Sequence, residues 1–282
     1  MKKLLLVFAV FAMAFNVNAQ IETPQPSPYS KVEQKVGLTD VSIEYSRPNM
    51  RGRAIFGDLV PYGKQWRTGA NKNTMISFSN DVTVGGKELK AGSYAIFVTP
   101  SEKSWEVVFY SDTENWGTPR KWDDSKVAAT VNAEVYPLPM KIETFTISFD
   151  DLSSDSAVLG MMWENVYVGV KFEVPTDKAV TASIEKIMAG PGADDYYASA
   201  RYYLEADKDI NQAVKWIDMA IEMTKDEPRF WWLRQQSLIH AKAGNKDKAI
   251  AAAKASMAGA KEAKNDDYVK MNMDSLKEWG AM

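Results

Sequence analysis

Four arginines, Arg47, Arg51, Arg53 and Arg67, fall inside the run YSRPNMRGRAIFGDLVPYGKQWRTGAN between Tyr45 and Asn71, and they are half of the arginines in the chain. A guanidinium is a planar fork of N–H donors that takes a carboxylate, phosphate or sulfate bidentately. The interleaved Gly and Pro make this stretch too broken for a helix and too glycine-rich for one plain strand, so a structured loop is expected. Two readings stay open. In the first, the four guanidiniums line a ligand pocket, Tyr62 and Trp66 supply flat walls, and Asn71 adds a neutral donor and acceptor. The guest would be an anionic small molecule or a glycan-like envelope component. In the second, the arginines stack on Trp66 or Tyr45 and pair with Glu44 or Asp58, locking a long crossover between sheets.

The remaining chemistry is thinner. Trp116 and Trp122 stand in loop-like sequence, where an indole can stack on a sugar, whereas Trp105 and Trp163 stand in strand-like sequence and are expected in the core. Glu44, Asp58, Asp123, Asp124 and Glu164 are available as a glycosidase-type pair, but spacing along the chain cannot place two carboxyls across a cleft. The only His is His240, in helical sequence of the second half, so a His-based triad cannot be built in the first. Ser183-Ile184-Glu185-Lys186 fits Ser-x-x-Lys without its companion boxes. Asp207 to Asn211 begins like a calcium loop but has Gln212 where the sharp turn needs Gly, and Asp209 reads better as a helix cap. With one His and no Cys, no metal site of ordinary zinc or iron type is expected, and no phosphate-binding Gly motif implies a cofactor.

The elements that must hold these residues differ between the two halves. From Lys31 to Val174 the period is two: Val41, Ile43 and Tyr45 alternate with polar residues, as do Phe145, Ile147 and Phe149, and Val166 through Val174. That pattern predicts half-buried antiparallel strands. Val84-Gly85-Gly86-Lys87 predicts a tight hairpin. Around nine short strands without intervening helices predict a β-sandwich over 27–175. A short helix and linker are expected over 176–193, with Ala189 to Ala193 as the corner. From 194 to 282 the period is helical. Pro228 marks a helix start and Gly244-Asn245 a stop. Asp209–Val214 aligns with Asn245–Ile250, and Ala220 with Ser256, close to the ~34-residue period of tetratricopeptide repeats. The fold class is therefore an all-β antiparallel sandwich followed by an all-α tetratricopeptide-like helical domain.

Residues 1–19 read as a cleavable signal peptide: Lys2 and Lys3, an apolar run from Leu4 to Phe15, and the small-residue site Val17-Asn18-Ala19. Cleavage after Ala19 would remove two lysines and no acid, taking the net charge from −3 to −5. A mildly acidic chain is a poor general partner for nucleic acid. No membrane span is expected after cleavage, and the expected location is periplasmic or secreted.

Taken together, Tyr45-Ser46-Arg47-Pro48, Arg51-Gly52-Arg53, Ile55-Phe56-Gly57, Leu59-Val60-Pro61-Tyr62-Gly63, Trp66-Arg67-Thr68-Gly69-Ala70-Asn71 and the hairpin with Lys90 to Phe97 resemble the signature of the bacterial domain of unknown function 2911 family. The resemblance covers about 27–174. It implies an exported protein, sometimes with a helical repeat tail, and it carries over no catalytic residue because the family has no established activity. The expectation is an exported, non-catalytic binding or scaffold protein whose helical tail makes protein contacts. The alternatives are an envelope hydrolase acting on glycan or peptide through carboxylates, and a pure protein–protein adaptor.

Overall fold

The structure, a computed structural model, describes residues 23–188 and 190–282. The signal-peptide reading falls on 1–19, outside the described residues. The chain divides after Val174 into two compact units.

The first unit holds nine strands among the described residues: β1 (Tyr29–Val36), β2 (Thr39–Ser46), β3 (Thr74–Phe78), β4 (Val82–Val84), β5 (Lys87–Leu89), β6 (Gly92–Pro100), β7 (Ser104–Tyr110), β8 (Val127–Asp150) and β9 (Ser156–Glu173). Every ladder is antiparallel, in the order β1-β2-β3-β6-β7-β8-β9-β4-β5. Alternation works as expected: in β2, Val41, Ile43 and Tyr45 are buried while Ser42 and Glu44 are only partly so. Inward residues from both ends of the strand order, such as Ile43, Ile96, Phe145 and Val170, share one core, so the unit is a sandwich.

Not all the strands are short. β8 runs for 24 residues and β9 for 18. β8 pairs with β7 up to Glu134 and with β9 from Val135, so one strand serves both layers. The register breaks between Pro137 and Ile142 and again before Thr146. Pro137 and Pro139 lack the amide a ladder needs, and bulges there let the strand bend from one sheet into the other. The expected hairpin joins β4 to β5 with Gly85 at φ +56° and Gly86 at φ +76°, the doubly positive turn that matches strand twist.

The second unit has helices α1 (Thr176–Ile187), α2 (Ala193–Glu205), α3 (Ile210–Met223), α4 (Phe230–Lys242), α5 (Lys246–Glu262) and α6 (Asp266–Glu278). Asp209 caps α3, its carboxylate accepting from the amides of Asn211 and Gln212. Pro228 lies one residue before the cap position of α4, which is Arg229. Gly244 follows α4 at φ +79°, the left-handed position that lets a helix stop. The starts of α3 and α5 are about 36 residues apart, near the repeat period. Ala213 and Ala249 match across it, as do Ala220 and Ser256, and all four are buried. Small side chains at these positions let antiparallel helices approach closely. No helix among the described residues is long and apolar enough to cross a membrane.

His240, 1 % exposed, sits in this unit with Nε2 2.9 Å from Asp218 Oδ1, and Gln236 donates to the same oxygen at 2.8 Å. Burial pushes the Asp218 carboxyl up, but the hydrogen bonds from His240 and Gln236 outweigh it and hold the carboxyl below the ordinary aspartate range. A depressed folded-state value means stabilisation that is full above the unfolded value, about 3.9, and is lost as pH falls through the folded one. Asp218→Asn should therefore narrow the difference between urea midpoints at pH 7 and pH 3 relative to wild type. An unchanged difference would refute the assignment.

Candidate functional site

The crossover from Ser46 to Asn73 carries all four arginines of interest, and three of them are engaged by the crossover's own surroundings. Residues 48–51 run beside β8: Met50 N donates to Glu143 O, Phe145 N donates to Pro48 O, and Asn49 bridges Thr144. Arg47 donates from Nε to Phe145 O at 3.0 Å and from Nη2 to Thr146 Oγ1 at 2.6 Å. Arg53 folds back on its own turn, Nε to Met50 O at 2.8 Å and Nη2 to Asn49 O at 2.7 Å. Arg51, at φ +52°, reaches Pro26 O at 3.1 Å, while its amide donates to Glu143 Oε1. The partners of these side chains are carbonyls and a hydroxyl rather than Glu44 or Asp58. A crossover with few ladder bonds leaves carbonyls in need of donors, and guanidiniums supply several at once.

Trp66 is partly buried and packs its ring against the core of the sandwich. It exchanges both backbone hydrogen bonds with Val98, and its indole N–H donates to Gly69 O at 3.0 Å. The ring stacks on Trp163 at 5.8 Å and 19° and meets Phe145, Trp105 and Phe56 edge-on. Trp105 and Trp163 are 1 % exposed, in keeping with their strand-like sequence. Tyr62 lies outside this cluster, 41 % exposed, its ring against Gly57. Burial, with Glu102 and Glu164 nearby, raises its phenol. Glu164, at φ +53° beside the register break, accepts from Ile55 N at 3.3 Å.

Because Trp66 pairs with Val98 and Thr74 with Ile96, residues 67–73 are an excursion between that bridge and the start of β3. It is closed by Thr74, whose amide donates to Arg67 O and whose hydroxyl donates to Thr68 O. Gly69, at φ +148°, is required: a Cβ there would sit 2.9 Å from Ser46 O. Asn71 donates through Nδ2 to Gln25 Oε1, Ser27 O and Ser46 Oγ. Asn73 and Asn115 tie the excursion to the 111–123 loop.

Arg67 stands apart. Trp66 faces the core, and successive side chains along an extended chain point to opposite faces. The Arg67 guanidinium accordingly lies against the 111–123 loop, where a Cβ on Gly117 would be 3.5 Å from Nη1. Its Nε is buried and has no hydrogen-bond partner among the described residues, and the same holds for Thr68 Oγ1. Beside Gly117, Trp116 is 77 % exposed, whereas Trp122 stacks on Tyr110 at 4.4 Å and donates to Asp124. Sequence reasoning had no handle on Thr68 or Gly117, which matter only because two distant loops meet.

The seven residues Arg47, Arg51, Arg53, Tyr62, Trp66, Arg67 and Asn71 thus share one connection, in which Arg47, Arg51 and Arg53 donate to their own chain, Trp66 packs against the core and Arg67 lies against the 111–123 loop. Two clefts of the unit, about 500 Å³ beside β1–β3 and about 410 Å³ beside β8 and β9, are lined by none of them. Among the described residues, no group of three or more His, Cys, Asp or Glu is placed to hold a metal ion. Residues 27–172 match the family described as Protein of unknown function (DUF2911). No curated protein and no solved structure matches the chain.

The aromatic cluster makes a direct prediction. Trp66→Ala should cost about 3–5 kcal/mol in urea unfolding, whereas Trp116→Ala should leave the midpoint in place. The reverse order would contradict the packing described.

Proposed function

The chain belongs to the DUF2911 family of proteins of unknown function, and on that premise we propose that its sandwich is a non-catalytic binding module for an anionic ligand, with Arg67 as the anchoring cation. The observation that carries this reading is that Arg67 has an unpartnered, buried Nε while Arg47, Arg51 and Arg53 donate to their own chain. A buried donor without a partner is costly. An incoming carboxylate, sulfate or phosphate oxygen would remove that cost and add charge-assisted hydrogen bonds. The exposed indole of Trp116, next to Gly117, supplies a flat apolar face, which suits an acidic sugar better than a bare ion. In this reading Arg47, Arg53 and Trp66 hold the loop in shape, Asn71 fixes the excursion, and Tyr62 and Arg51 are peripheral. The leader-like sequence of residues 1–19 supports a periplasmic or secreted module, and in this reading the helical unit serves protein contacts.

Thermal unfolding in sulfate, phosphate and glucuronate, with chloride at matched ionic strength, tests the proposal on wild type, Arg67→Met and Arg53→Ala. Methionine keeps the apolar stem of Arg67 and removes the fork. At about 100 times the dissociation constant, a ligand stabilises by roughly 2.7 kcal/mol. One of the three anions should raise the melting temperature of wild type and Arg53→Ala and leave Arg67→Met unmoved. If no anion separates wild type from Arg67→Met, the binding reading fails.

A further inference from the structure

The two outer edges of the strand order are blunted. β1 carries Lys31 and Lys35, and β5 is only three residues long, both of them guards against an added strand. An inner edge lacks such guards. β8 pairs with β7 in a register that sets Glu134 opposite Ser104 and Val131 opposite Val107, and Val135 N donates to Lys103 O at 2.9 Å. Along an antiparallel strand the backbone groups of successive residues face opposite edges. Ala133 and Val131 therefore turn theirs to β7, as Val135 does, and Thr130, Asn132 and Glu134 turn theirs away from it. β9 takes up β8 only from Val135, opposite Val168, so these three exposed residues have no ladder partner among the described residues. Residues 127–134 hold neither Lys nor Pro.

This edge opens on the cleft of about 410 Å³ where β8 parts from β9, with residues 131–134 of β8 facing Gly169, Lys171 and Glu173 of β9. Val131, Ala133 and Val170 are its apolar lining, and the hairpin tip closes against it, since a Cβ on Gly85 would be 2.6 Å from Val131 Cγ2. The charge at the rim is one-sided. Lys171 meets Glu173 at 3.5 Å, but Glu134 accepts only from the Tyr136 phenol at 3.0 Å. Neither Glu134 nor Glu106, which stands opposite Asn132 on β7, has an ion-pair partner among the described residues. Backbone donors and acceptors recurring every second residue, about 6.8 Å apart, are matched by another extended chain and not by the hydroxyls of a sugar ring. Carboxylates without internal cations select a basic guest.

We propose that the fork between β8 and β9 is a strand-addition site for an extended basic peptide of a partner protein. The backbone of the guest pairs with Thr130, Asn132 and Glu134. Its Lys or Arg side chains stand beside Glu134, and the alternate small or apolar side chains turn to Val131 and Val170. This site is separate from the one at Arg67 and stands without it.

The test is calorimetric titration of the full chain with acetyl-Thr-Lys-Val-Lys-Val-Thr amide, its acidic counterpart with Glu in place of both Lys, and two forms of the basic peptide carrying backbone N-methyl groups on both Lys or on both Val. The basic peptide should bind several-fold tighter than the acidic one. At least one N-methylated form, the one whose methyl groups meet β8, should bind about tenfold or more weakly than the parent. Asn132→Pro removes an amide that faces away from β7, so it spares the β7–β8 ladder and should abolish binding. Glu134→Lys should reverse the charge preference, and Arg67→Met should leave it whole. If Asn132→Pro does not fold, the N-methylated peptides probe the same backbone contact on wild type. The proposal is overturned if the basic peptide does not bind, if the acidic one binds as well, or if both N-methylated forms bind like the parent. Binding that survives in folded Asn132→Pro, or a charge preference that survives Glu134→Lys, overturns it equally.

Discussion

The insertion of the Trp66 indole between the two layers of the sandwich is the constraint on which the first unit rests. The side chain belongs to a crossover rather than a regular strand, yet it exchanges backbone hydrogen bonds with β6 and stacks on Trp163 from β9. One residue thereby ties the loop to both sheets. With Trp66 fixed, the preceding segment must run along β8, and the following segment must loop away from β6 and return to it at Thr74. The arginine placement follows from that path. Arg47 and Arg53 meet carbonyls that no ladder satisfies, and Arg67, one position beyond the indole, is turned to the opposite face.

An arginine-rich loop therefore has two physical meanings in the same molecule. A long connection that leaves the ladder between two paired strands, here β2 and β3, cannot pair all its own carbonyls, and a guanidinium is an efficient donor for several at once. Such arginines are part of folding. Where the local path gives the guanidinium no carbonyl, as at Arg67, the same side chain remains as an unmatched donor beneath a loop that also exposes Trp116. The helical unit repeats this logic with other residues. Its helices pack through buried Ala and Ser at matched positions together with Ile217, Ile239 and aromatic rings such as Tyr197 on Trp232, and α6 adds a polar network from Ser256 through Asn272 to Arg234. That network fixes a register that apolar packing alone would leave free to slide.

Much of the fold was legible from the chain because it depends on local properties. Alternation at Val41, Ile43 and Tyr45, the Gly85-Gly86 turn, the Asp209 cap and the Gly244 stop each follow from side-chain period or allowed φ within a few residues. The lengths of β8 and β9 were not legible, since whether Pro137 ends a strand or merely bends it depends on what lies alongside. The candidate site was legible only as a cluster of types. Arg47, Arg53 and Arg67 look alike in sequence, and their difference lies in Phe145, Met50 and Gly117.

By itself, then, the sequence determined the two periods, the change between them near Val174, the family and the stretch where guanidiniums gather. The tertiary structure alone decided that Trp66 packs against the core, that β8 serves both sheets, and that the partly buried guanidiniums of Arg67 and Arg234 have no carboxylate or main-chain carbonyl partner among the described residues. The reason is that period and turn geometry are set by neighbours in the chain. A hydrogen-bond partner such as Phe145 O for Arg47 lies almost a hundred residues away and becomes a neighbour only after the sheets have closed.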